Sequence, residues 1–196
     1  MKETINGLTK KEAIEKAFKL GYEGEKNRQS CSQASFNAIS ETLGFKNELI
    51  FKCVSALEGG GADTAQCSCG AFSGPLVAFS YFFGRPYSLW DQGITDIKSA
   101  RIGQKLYDKF IEEYGTAICK EIQTKKFGRS FDFMNEEDFR IFEEMGGHEN
   151  ICPTVVGLAS AWAVDLLWNE LPKDKDLEKI NNMEEAKNNF EAKKIK

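Results

Sequence analysis

The chain is divided into short segments in which apolar residues recur every three to four positions, and that pattern confines it to helices. Ala13, Ile14, Ala17, Phe18 and Leu20 form one stripe over 10–20, opened by Thr9 with Glu12 in the spacing of a capping box. A second box, Ser30 with Gln33, opens a helix through Ala34, Ala38, Ile39 and Leu43 that Gly44 stops. Residues 48–57 read as a third helix, closed by Gly59-Gly60-Gly61. The apolar helix running to Phe83 contains Pro75, so it begins near Ser73 or Gly74, or begins at Cys69 and kinks.

Further on, 91–114 reads as one long helix with Ile94, Ile97, Ile102, Leu106 and Phe110 turned inward, ended by Gly115. Thr116 is placed to cap a short helix carrying Cys119. After an irregular aromatic stretch over 127–133, Asn135 with Asp138 opens a helix to Met145, stopped by Gly146-Gly147. Cys152-Pro153 then opens a strongly apolar helix to about 169. No run alternates as a half-buried strand does. The expected fold is all-α, a compact multi-helix bundle over 1–170, with a charged tail or solvated helix over 171–196.

Bulk properties exclude several functions. A net charge of −4 and a sequence pI near 5.3 argue against a generic binder of the nucleic-acid backbone. Gly59-Gly60-Gly61 is not followed by Gly-Lys-Ser/Thr and does not follow a strand, so no nucleotide is expected there. The stretch from Leu76 to Phe83 is too short to span a membrane, and the charged N-terminal stretch has no signal-peptide pattern. Membrane insertion is therefore not expected, and the cytoplasm is the expected location. His148 is the only histidine, which rules out a multi-histidine zinc site. It reads as an exposed loop residue or as a neighbour acting on Cys152. Glu112-Glu113, Glu136-Glu137 and Glu143-Glu144 are adjacent in sequence and do not face one another on a helix.

Six cysteines in a chain without export signals point to buried thiols, metal ligands or redox groups rather than a disulfide framework. Four of them, Cys31, Cys69, Cys119 and Cys152, fall in or beside a predicted first helical turn. Unpaired N–H groups and the positive end of the helix dipole favour a thiolate there, and four thiolates suit a tetrahedral metal or an iron–sulfur cluster. Any one of the four could equally be a core residue. Cys53, in an apolar stretch, reads as core. Cys67, two residues before Cys69, reads as a resolving thiol, a spare ligand or a loop residue.

These residues resemble the C-GCAxxG-C-C family of redox-active proteins, named for four cysteines and a Cys-Gly-Ala-x-x-Gly motif. Cys69-Gly70-Ala71-Phe72-Ser73-Gly74, after Gly59-Gly60-Gly61, matches the central motif. Cys31 in Ser30-Cys31-Ser32-Gln33-Ala34 corresponds to the first cysteine, with Ser30 in place of the more usual asparagine. Cys119 after Tyr114-Gly115, and Cys152 before an apolar helix, correspond to the third and fourth. The resemblance spans 13–167 and implies a helical domain with a redox role.

A similar domain in split-Soret cytochromes carries an iron–sulfur cluster, which implies a [2Fe–2S] site on Cys31, Cys69, Cys119 and Cys152. Gly70, Ala71 and Gly74 would then pack around it. Without Cys-x-x-Cys-His, no c-type haem is expected. Three functions stay open at this point: electron transfer with a redox partner protein, thiol–disulfide chemistry at Cys69 with Cys67 or Cys31, and a helical binding module with structural zinc or core cysteines. Apolar area exposed on the last helix would add a homodimer to any of them.

Overall fold

Helices α1 (Lys10–Arg28) and α9 (Cys152–Trp168) make the largest helix contact in the computed structural model, which describes residues 3–174. α1 begins as the capping pattern predicts, with the Glu12 carboxylate accepting from the Thr9 N–H at 2.8 Å and hydroxyl at 2.6 Å. It continues two turns past the apolar stripe, to Arg28. α9 buries Val156, Ala159, Ala163, Val164 and Leu167 completely. Removing such aliphatic side chains from water is worth about 1.5–3 kcal/mol for each of the larger ones, which accounts for the central place of this helix. The stretch Gly147–Trp168 has the length and apolarity of a membrane span, but 61% of its most apolar window is buried inside the bundle.

Around this pair lie α2 (Cys31–Leu43), α4 (Gly70–Phe83) and α6 (Lys98–Tyr114). Shorter helices α3 (Glu48–Cys53), α5 (Tyr87–Asp91), α7 (Cys119–Phe127) and α8 (Glu136–Glu144) connect or flank them. No strand occurs among the described residues, and the fold is the expected all-α bundle. α4 starts at Gly70 and accommodates Pro75 within its length. α8 is capped as expected, the Asp138 N–H donating to Asn135 Oδ1 at 3.0 Å.

Several local expectations are corrected. The long helix over 91–114 is two elements, because Gly93 turns at φ 68° and the Asp96 carboxylate accepts from the Lys98 N–H at 2.9 Å to start α6 afresh. Ile94 and Ile97 are consequently exposed rather than inward. The third helix breaks at Val54, which turns into the core and leaves Cys53 exposed. Ser30 takes a left-handed conformation and makes no cap, while Gln33 Nε2 donates to the Phe51 carbonyl at 3.2 Å. α9 lies in the interior, and the exposed apolar side chains nearest one another in sequence are Tyr87, Trp90, Ile94 and Ile97. Of the charged segment 171–196, the described part ends at Asp174, whose carboxylate accepts from the N–H groups of Asn6 and Gly7. The remainder lies outside the described residues.

Candidate functional site

Cys31, Cys119 and Cys152 are the first residues of α2, α7 and α9, and Cys69 immediately precedes α4. Backbone pairing joins the two middle ones. The Cys69 N–H donates to the Ala117 carbonyl, the Cys119 N–H to the Cys67 carbonyl and the Lys120 N–H to the Ala65 carbonyl, each at 2.9 Å. Ser68 and Ile118 form an antiparallel bridge between these segments, so the starts of α4 and α7 are held side by side. The glycine loop closes over them: a Cβ on Gly60, at φ 77°, would lie 2.6 Å from the Cys119 Cβ.

All four cysteines line one cavity of about 390 Å³, and neither Cys53 nor Cys67 does. The Cys69 thiol sits between two others, accepting from Cys31 and donating to Cys119. Amide groups face the sulfurs as well: the N–H of Gly59 reaches Cys31, that of Ala71 reaches Cys69, and Gln123 Nε2 donates to Cys119 Sγ at 3.3 Å. Gln123 is itself fixed by the Phe131 N–H, which donates to its Oε1 at 2.8 Å. Gly70 is the point of closest approach, since a Cβ there would stand 2.4 Å from Cys31 Sγ. Gly74, a turn further on, packs against Ser32 and Ser35 of α2. Cys67 is exposed, on the far side of the glycine loop near Gly61.

The helix starts do not lower the proton affinity of Cys31, Cys69 or Cys152. Hydrogen bonding to Cys69 and then burial push Cys31 well above the usual thiol range. The hydrogen bond to Cys119 does the same for Cys69, and burial beside Glu25 does so for Cys152. Dipole stabilisation of a thiolate is a modest effect in the first turn, whereas loss of water and mutual repulsion among anions act on the whole charge. Among the described residues no three His, Cys, Asp or Glu side chains are set to share one metal ion, and all six cysteines are free thiols.

One polar residue of the cavity, Glu25, has no signal in the sequence pattern. Glu25 is 2% exposed, and its Oε2 has no hydrogen-bond partner among the described residues. Its Oε1 lies 3.8 Å from His148 Nε2, and His148 Nδ1 pairs with Glu143. His148 is therefore a largely buried cavity residue rather than an exposed loop residue, held in the π-helical turn Gly147–Ile151 that leads into α9.

In the fully reduced, metal-free chain, the exposed Cys53 and Cys67 will react with a thiol reagent at pH 8 about 100-fold faster than the other four, of which Cys69 and Cys119 are buried and the half-buried Cys31 and Cys152 hold their protons well above the usual thiol range. Stopped-flow titration would show two fast thiols, and six once denaturant is added. Four or more fast thiols in the native chain would contradict the placement of the cavity.

A helical bundle with four thiols from four helix starts in one cavity defines a cysteine-based protein of the redox class. A family model described as "Putative redox-active protein (C_GCAxxG_C_C)" matches residues 29–166, and the chain belongs to this family. No curated protein and no solved structure matches the chain.

Proposed function

We propose that this protein transfers electrons through an iron–sulfur cluster, of the [2Fe–2S] kind, held by Cys31, Cys69, Cys119 and Cys152. The observation that carries this reading is the sorting of the six thiols: the four of the family pattern line one cavity and the other two do not. The donor set fits the group, since four cysteine thiolates are what such a cluster requires. Such a cluster takes its four ligands as two pairs rather than three around one ion; Cys69 has Cys119 beside it, and Cys31 and Cys152 act on one another. Thiols that resist ionisation in a cavity become thiolates when a metal cation supplies the missing positive charge. When bound, the cluster would accept and release single electrons.

The protein's own groups would hold and tune it. The amides of Gly59 and Ala71 and the Gln123 side chain donate toward sulfur, which spreads its negative charge and raises a reduction potential. Gly70 keeps the approach between Cys31 and α4 short.

The thiol–thiol hydrogen bonds support a second reading, reversible disulfide formation between Cys69 and either Cys31 or Cys119, with two electrons and two protons passing to an acceptor. Anaerobic purification and reconstitution separate the two. The first reading predicts a coloured protein with iron and sulfide in equal amounts, lost in Cys69→Ser and retained in Cys53→Ser and Cys67→Ser. A colourless, metal-free chain after reconstitution would overturn it, and a disulfide that forms reversibly in that chain would establish the second.

A further inference from the structure

We infer that the cavity holds a second binding site beside the cysteines, for a flat, neutral, apolar molecule bearing one hydrogen-bond-accepting oxygen that Glu25 receives. The cavity is larger than the cysteine end needs. Thiolate–metal bonds near 2.3 Å keep any metal group close against the four sulfurs. The cavity wall, however, follows α7 from Cys119 to Phe127, and eight residues of helix cover about 12 Å. A volume of about 390 Å³ is within the range of small-molecule sites.

The end away from the thiols is aromatic. Phe127, Phe133, Phe139 and Phe142 line it, and Phe142 lies 5.4 Å from Phe127 and 5.0 Å from Phe133 between ring centres. His148 stacks its edge on this group, 5.0 Å from Phe142. Such a wall favours a flat ring, which gains dispersion contact and loses little water.

One polar group is left over where this wall meets the cysteine end. Glu25 borders the cavity, is almost completely buried, and has one carboxyl oxygen without a hydrogen-bond partner among the described residues. A buried polar atom in that condition is costly, and a ligand that pairs with it removes the cost. The nearby ionisable groups set the ligand's charge. Glu58 and Glu143 are the other carboxylates that act on Glu25, and among the described residues the nitrogen paired with it is His148 Nε2, at 3.8 Å. Arg28 and Lys126 line the cavity but are exposed. Burial, then Glu58 and Glu143, push Glu25 up to about 8, so at neutral pH it keeps a proton to donate. An anion would be repelled at this end, and an acceptor such as a ketone oxygen would be paired.

The site is separate from the cluster reading, because it uses Glu25 and the phenylalanines and no thiol. The test uses three probes of one shape on the full chain: 2-acetylnaphthalene, 2-ethylnaphthalene and 1-(2-naphthyl)ethylamine, the last protonated at pH 7. Calorimetric titration should show the ketone binding about 10-fold tighter than the hydrocarbon, as one well-placed buried hydrogen bond provides. Glu25→Leu should abolish that preference, the ketone then binding no tighter than the hydrocarbon, and Glu25→Gln, which keeps a donor, should retain it. Equal binding of ketone and hydrocarbon, tighter binding of the ammonium compound, an unaltered preference in Glu25→Leu, or no binding at all would each overturn the inference. Iron content is measured on anaerobically reconstituted samples, so a reconstituted chain that binds the ketone without iron overturns the cluster alone.

Discussion

Glu25→Gln will stabilise the reduced, metal-free protein at pH 9 by on the order of 5 kcal/mol and leave it almost unchanged below pH 4. In the folded chain burial holds the Glu25 carboxyl at about 8, against 4.5 for an ordinary glutamate. Below pH 4.5 the group is protonated whether the chain is folded or not, and it creates no pH dependence. Between 4.5 and about 8 the unfolded chain releases this proton and the folded chain keeps it, so stability falls by about 1.4 kcal/mol for each pH unit. Above 8 both forms are ionised and the loss levels off.

Glutamine has the same shape and no proton to lose, so the variant escapes this loss entirely. Urea unfolding of both proteins at pH 4, 6 and 9 would reveal it as a widening difference. Thiol ionisation also lowers stability above pH 9, since Cys31, Cys69 and Cys152 hold their protons more tightly when folded. Glu25 is one cause of the Cys31 and Cys152 shifts, so that contribution is smaller in Glu25→Gln and adds to the variant's advantage at pH 9. A difference that stays constant with pH would mean that Glu25 is not buried as described.

Glu25 also shows where sequence reading stops. Three of the four cysteines were legible beside a local signal, Pro153 after Cys152, Thr116 before Cys119 and the Cys-Gly-Ala-x-x-Gly run at Cys69, while the Ser30–Gln33 box beside Cys31 marked the right helix start without forming the cap. Those signals depend on chemistry within one turn of chain. Glu25 lies in Tyr22-Glu23-Gly24-Glu25-Lys26, a charged end of α1 that reads as solvated, and only the folding back of 143–148 over it makes it interior. Gln123 is similar: its place one turn after Cys119 is visible, but its role depends on Phe131 returning to fix its amide. Cys53 failed in the opposite direction. Its apolar surroundings suggested burial, but a six-residue helix has one inward side, and Val54 takes the buried place. Ile94 and Ile97 fit a helical stripe, and one glycine between the stripes, at 93, was enough to break it.

Gly70→Val will lower the melting temperature by about 6–12 °C, corresponding to about 3 kcal/mol in a chain of this size. The motif glycine has no room for a side chain. A Cβ at this position would lie 2.4 Å from Cys31 Sγ, 2.8 Å from the Ser32 nitrogen and 3.2 Å from the Leu57 carbonyl oxygen. Two of these three atoms are backbone, belonging to α2 and to the short 3₁₀ turn Ser55–Leu57, so neither can turn aside as a side chain would. The remaining course is for α4 to move away from α2, which separates Cys69 from Cys31 and opens the cavity. Thermal unfolding followed by circular dichroism gives the stability, and the count of fast-reacting thiols gives the geometry: Cys31 should join Cys53 and Cys67. Gly128→Ala is the control, because Gly128 turns at φ 80° with nothing within 4 Å and should cost only about 1 kcal/mol through backbone strain. If Gly70→Val melts like that control with its thiols still slow, α2 and α4 do not meet at Cys31. If it melts early with a third thiol exposed, this glycine serves first to bring two helix starts together, and any group held between their sulfurs depends on that approach.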